Sequence, residues 1–144
     1  MLDRDFIQRK IALIQDDLKH LAPFEKLTIK EIFDDFKTQA IIERVLERVI
    51  GRALDINQHI IAEQGGELER VATYRDTFIR LADLGIYSRE FAEDISKSAG
   101  LRNILVHEYN NIKPDLLKKS IGAAIKEFNE YSKFILSFID RTSQ

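Results

Sequence analysis

A chain of 144 residues, 44% hydrophobic and 32% charged with two Pro and six Gly, has the composition of one ordered, helix-rich domain over 1–144, not of a disordered segment. It lacks Cys, which excludes disulfides, thiolate metal sites and Cys nucleophiles; it also lacks any apolar run near about 18 residues and any signal-like start, so a cytoplasmic protein without a membrane span is expected. A formal net charge of -2 removes any global attraction for nucleic acid, and an RNA site must therefore be local.

From Asp3 to Leu21, the residues Ile7, Ile11, Ile14, Leu18 and Leu21 recur at steps of four and three and predict one amphipathic helix that ends near Pro23. Thr28 and Glu31 form a capping-box signature, with Leu27 and Ile32 spaced as a hydrophobic staple. The apolar positions that follow, from Ile29, Ile32, Phe33 and Phe36 to Ile60 and Ile61, keep a helical period as far as Gln64-Gly65-Gly66, which predicts the longest helix, with a kink near Gly51. Thr73 caps a shorter helix carrying Phe78, Leu81 and Leu84, and Gly85 stands where a left-handed cap is expected. Ser88 caps a further segment with Phe91 and Ile95 on its buried side, and Gly100 marks a bend or a close helix approach. Pro114 suits the first turn of a last helix whose stripe runs through Leu117, Ile121, Ala124, Phe128, Tyr131, Ile135 and Phe138. No stretch alternates with period two, so the expected fold is all-α, an up-and-down bundle of about five helices.

The stretch Leu101-Arg102-Asn103-Ile104-Leu105-Val106-His107-Glu108-Tyr109 carries the chemistry. Arg keeps its charge at neutral pH and His changes protonation state near it, so the two provide a fixed cation and a proton carrier. On a continuous helix Leu101, Ile104, Leu105 and Ile112 face the core, Arg102 and Tyr109 share one flank, Asn103 and His107 share the other, and Val106 points outward. Arg102 and His107 then diverge by about 140°, too far to grip one phosphate together. A homodimer with an isologous contact through Val106 brings one chain's Arg toward the other's His. Such a cleft suits cleavage of an RNA phosphodiester by its own 2′-hydroxyl: His107 moves the proton, Arg102 neutralises the pentacoordinate phosphorus, and Asn103 orients the His or donates to a phosphate oxygen. Lys113, Lys118 and Lys119 are candidate RNA contacts, although a solvated helix start is the commoner role of such lysines. No metal or cofactor is required. Asp16-Asp17 and Asp34-Asp35 diverge on their helices, and His20 and His59 read as ordinary helix residues.

The pattern Arg102-Asn103-x3-His107-x-Tyr109 resembles the motif of HepT toxins, members of the HEPN superfamily of ribonucleases. The resemblance extends through Ala53-Leu54-Asp55-Ile56, His59-Ile60-Ile61-Ala62-Glu63, the segment from Tyr74 to Leu84, and the length of the chain. It implies a dimeric, metal-independent endoribonuclease acting on tRNA or mRNA, the toxin of a type VII toxin–antitoxin system paired with MntA, a minimal nucleotidyltransferase. By this resemblance Arg102 and His107 are catalytic, and Tyr109 is the hydroxyl to which the antitoxin transfers AMP. Nucleotide phosphates on Tyr109 would occupy Arg102 and repel RNA. The competing reading is a non-catalytic helical module that docks a nucleotidyltransferase.

Overall fold

The computed structural model describes residues 1–65, 71–108 and 111–142. Seven α-helical segments and no strand are found among them: α1 (Arg4–Leu21), α2 (Ile29–Phe33), α3 (Phe36–Ile60), α4 (Tyr74–Asp83), α5 (Arg89–Ile95), α6 (Lys97–His107) and α7 (Pro114–Thr142). A 3-10 turn over Ala22–Phe24 follows α1, and a π-helical turn over Ile61–Gly65 follows α3.

The three long helices α1, α3 and α7 pack on one another, while α4 and α6 rest against α3. The predicted stripes form the core: Ile7, Ile11, Ile14, Leu18 and Leu21 of α1 meet Leu117, Ile121, Phe128, Tyr131 and Ile135 of α7 within one hydrophobic cluster. Each fully buried Ile or Leu contributes about 1.5–3 kcal/mol of transfer free energy. A buried carboxylate also joins α1 to α3, where Asp17, 1% exposed, pairs with Arg52 and, at 3.3 Å, with Arg48.

The long second helix differs from its prediction. It is split at Asp34-Asp35, where Asp35 adopts an extended conformation (φ -120°, ψ 104°) and caps α3 by accepting hydrogen bonds from the Lys37 amide at 3.1 Å and the Thr38 hydroxyl at 2.8 Å. An Asp side chain that offers the backbone an acceptor competes with helix continuation, and apolar spacing does not register this. Ile29 and Phe36, read as part of the buried stripe, are 37% and 69% exposed. The longest helix is therefore α7, with 29 residues against 25 in α3. No break occurs at Gly51, which lies within α3.

Gly85 has φ +81° and ends α4 as expected, with the Ile86 amide donating to the Leu81 carbonyl at 3.1 Å. Gly100 is neither a bend nor a close approach: it lies inside α6, and a Cβ there would meet nothing within 4 Å. The boundary falls instead at Ser96, whose hydroxyl donates to the Glu93 carbonyl at 2.8 Å and which is shared between the end of α5 and the start of α6. No helix among the described residues is long and apolar enough to cross a membrane.

Candidate active site

Helix α6 presents Gly100, Asn103 and His107 to solvent, inserts Leu105 into the core at 3% exposure, and holds Arg102 and Val106 half-buried between these faces. Leu101 and Ile104 are only partly buried against the core. The helix ends at His107, and Glu108 leaves helical geometry at φ -130°, ψ 36°. The continuous helix expected through Ile112 therefore stops sooner, and Ile112 reaches the core from the following connection at 4% exposure. Tyr109, the expected modification site, lies outside the described residues, as does any shared flank with Arg102.

Arg102 and His107 lie on one helix, five positions apart, so they diverge by about 140° and lie about 7.5 Å apart along its axis. Their surroundings differ sharply. His107 and Asn103 are exposed, four residues apart on one face. Arg102 is wedged between α6, α3 and α4: its Cζ sits 5.3 Å from the centre of the Tyr74 ring, and a Cβ on Gly51 would lie 3.8 Å from its Nε. That Nε is buried with no hydrogen-bond partner, and no carboxylate among the described residues pairs with the guanidinium. An arginine without a carboxylate is a cation in want of an anion, and its planar fork matches phosphate geometry.

Tyr74 is held firmly. It is the first residue of α4, behind the reciprocal cap of Thr73 and Asp76. A chain of hydrogen bonds runs from the Tyr131 hydroxyl to Asn57 Oδ1 at 2.5 Å, from Asn57 Nδ2 to the Thr77 hydroxyl at 3.0 Å, and from that hydroxyl to the Tyr74 carbonyl at 2.7 Å. The backbone beneath Arg102 is thus tied to α7 through α3.

The lysines are dispersed. Lys113 is exposed before α7, and Lys118 donates to the Glu25 carbonyl in the turn after α1. Lys119 stands at a groove of about 270 Å³ between α3, α6 and α7, floored by Ile50, Leu101 and Phe128. Lys97, Lys119, Asp94 and Glu127 all line that groove, so its charge is mixed, and Arg102 does not line it. Burial, followed by the Asp94 charge, holds the Glu127 carboxyl above the ordinary carboxylate range.

His59 serves the fold: its Nε2 accepts from the Asp3 amide at 2.9 Å, and its ring lies 5.2 Å from that of Phe6. His20 is exposed beside Asp17 at 3.9 Å. Among the described residues, no three His, Asp or Glu side chains converge in a way that could hold a metal ion.

Sequence reading singles out Arg102, Asn103 and His107; it allows Tyr74, with Arg75 and Asp76, a place near the cleft beside the alternative of capping and core packing, and it gives Gly51 only a kink. The proximity of Tyr74 and Gly51 to Arg102 joins residues 51, 74 and 102, and no local spacing signals a contact of that kind.

The chain is similar to known proteins in both sequence and fold. The family described as Ribonuclease HepT-like matches residues 14–135. A tRNA nuclease HepT of Aphanizomenon flos-aquae is 34% identical over 133 residues, covering 92% of this chain and 89% of the relative. An mRNA nuclease HepT of Shewanella oneidensis is 27% identical over 127 residues, covering 88% of this chain and 93% of the relative. Among solved structures, a tri-AMPylated HEPN toxin of Shewanella oneidensis in complex with MNT antitoxin superimposes with a TM-score of 0.78 at 25% identity, covering 95% of this chain and 99% of that one.

Proposed function

Because the chain belongs to the ribonuclease HepT-like family, we propose that it is the endoribonuclease toxin of a toxin–antitoxin pair, acting in the cytoplasm on tRNA or mRNA through Arg102 and His107. The observation that carries this reading is Arg102, without a carboxylate partner among the described residues and half-buried on the helix that also bears an exposed His107. In the reaction the 2′-oxygen attacks the adjacent phosphorus and loses its proton to an imidazole, while the 5′-oxygen leaves and takes a proton. The products are a 2′,3′-cyclic phosphate and a 5′-hydroxyl. Arg102 stabilises the charge gathered on the phosphoryl oxygens, and Asn103, one turn before His107 on the same face, orients the imidazole or donates to phosphate.

The divergence of Arg102 and His107 on α6 supports a homodimer in which each cleft takes Arg102 from one chain and His107 from the other, with half-buried Val106 at the contact. Residues 1–144 act in this reading as one domain, in keeping with the single core cluster. Lys113 and Lys119 remain the RNA contacts of choice, since Lys118 is engaged by Glu25.

The partner is a nucleotidyltransferase antitoxin of MntA type, as in the complex of the Shewanella oneidensis toxin. The Tyr109 oxygen attacks the α-phosphorus of ATP, pyrophosphate departs and the phenolic proton passes to solvent. Tyr109 then carries AMP, and the added negative charge repels the substrate.

Incubation of the purified protein with total RNA in EDTA tests the reaction. Cleavage that disappears in both Arg102→Ala and His107→Ala is expected, whereas equal cleavage by wild type and variants would remove these residues from the mechanism. Mass spectrometry after incubation with ATP and the antitoxin should find AMP on Tyr109 and none on Tyr109→Phe.

A further inference from the structure

We infer that Tyr74 is the positioning residue of the site: its ring fixes the Arg102 guanidinium where α3, α4 and α6 meet, so that a charge with no carboxylate partner among the described residues is held ready for phosphate. The inference rests on the reading of Arg102 as the phosphate-binding group. A free arginine samples many rotamers, and an enzyme that left it so would have to order it at every turnover. A carboxylate partner would hold it in place but would also offset the charge on which the substrate depends. An aromatic face attracts the cation without carrying a formal charge, and the ring centre 5.3 Å from Cζ is within the range of that attraction.

Three further observations converge on the same role. The Arg102 Nε is buried and unbonded, while the residue as a whole is only half-buried. The hydrogen-bond chain Tyr131–Asn57–Thr77 ends on the Tyr74 carbonyl and fixes the start of α4 relative to the core. Tyr74 itself is 48% exposed, more than packing alone would require of a tyrosine placed for stability.

The test compares Tyr74→Phe, which keeps the aromatic face, with Tyr74→Leu, which keeps apolar bulk without it; Arg102→Ala serves as the reference. Cleavage of RNA is measured as kcat and KM, and the Nε–H signal of Arg102 is followed by NMR. The expected result is that Tyr74→Phe retains most of the wild-type kcat, while Tyr74→Leu loses about tenfold to a hundredfold. The Arg102 Nε–H signal should be displaced by the ring current in wild type and Tyr74→Phe, and should return toward the free-arginine position in Tyr74→Leu. The exposure of Tyr74 makes both variants compatible with folding, and the NMR measurement reads the contact whatever the turnover. Unchanged kcat and an unmoved Nε–H signal in Tyr74→Leu, with Arg102→Ala inactive, would overturn the positioning role alone. Full activity in Arg102→Ala would instead overturn the assignment of Arg102 on which it rests.

Discussion

At the scale of single residues, the two tyrosine hydroxyls buried in the core each have a hydrogen-bond partner. Tyr131 is fully buried, and its hydroxyl donates to Asn57 Oδ1 at 2.5 Å with the Ala53 carbonyl at 3.1 Å; the Tyr87 hydroxyl donates to the Phe78 carbonyl at 2.8 Å. Burial pushes both phenols well above the ordinary tyrosine value. The unfolded chain therefore releases protons near pH 10 that the folded chain retains, and stability should hold below that pH and fall as the pH rises above it. In an alkaline absorbance titration, tyrosinate from Tyr87 and Tyr131 should emerge only together with the loss of helical circular dichroism; its appearance in the folded protein would contradict their burial. Asp17 makes a second case. Its replacement by Ala leaves Arg52 and Arg48 facing each other without their carboxylate, and urea unfolding should show a loss of about 3 kcal/mol.

At the scale of elements, helix ends are set by short polar side chains and by one glycine. Thr28 accepts from the Glu31 amide at 3.1 Å while Glu31 accepts from the Thr28 amide at 3.0 Å, so Thr28→Ala should destabilise the protein by about 1 kcal/mol in chemical unfolding. Gly85 holds a left-handed conformation at φ +81°, and Gly85→Ala should cost about 1 kcal/mol despite open space around the added methyl group. The capping box at Thr28, the caps at Thr73, Ser88 and Gly85 and the start at Pro114 were all legible in the sequence, because each depends on residues within one turn of chain. The break at Asp34-Asp35 was not. An apolar period of 3.6 runs through it unchanged, and only the extended backbone of Asp35 shows that its carboxylate has taken the Lys37 amide, which in a continuous helix would bond to a backbone carbonyl.

At the scale of the whole molecule, the proposed dimer makes a prediction that a single-chain site does not. Arg102→Ala and His107→Ala, each inactive alone, should regain activity when mixed and allowed to exchange subunits, since the mixed dimer contains one cleft with both residues. At equal mixing the recovery should approach about a quarter of wild type, and its absence would place both residues of each working site on one chain. Val106→Glu should weaken self-association in sedimentation experiments if the contact runs through that position.

The sequence by itself determined the all-helical class, the buried stripes of the first and last helices, most of the caps, and the pairing of a fixed cation with a proton carrier on one short helix. These follow from periodicity and from chemistry within a few residues, which the linear order displays directly. What only the tertiary structure decided is the company Arg102 keeps: a glycine from α3, a ring from the first turn of α4, and no carboxylate among the described residues. Residues 51, 74 and 102 meet because three helices cross at one point. Such a meeting depends on the packing angles and register of the helices, which no stretch of sequence encodes locally.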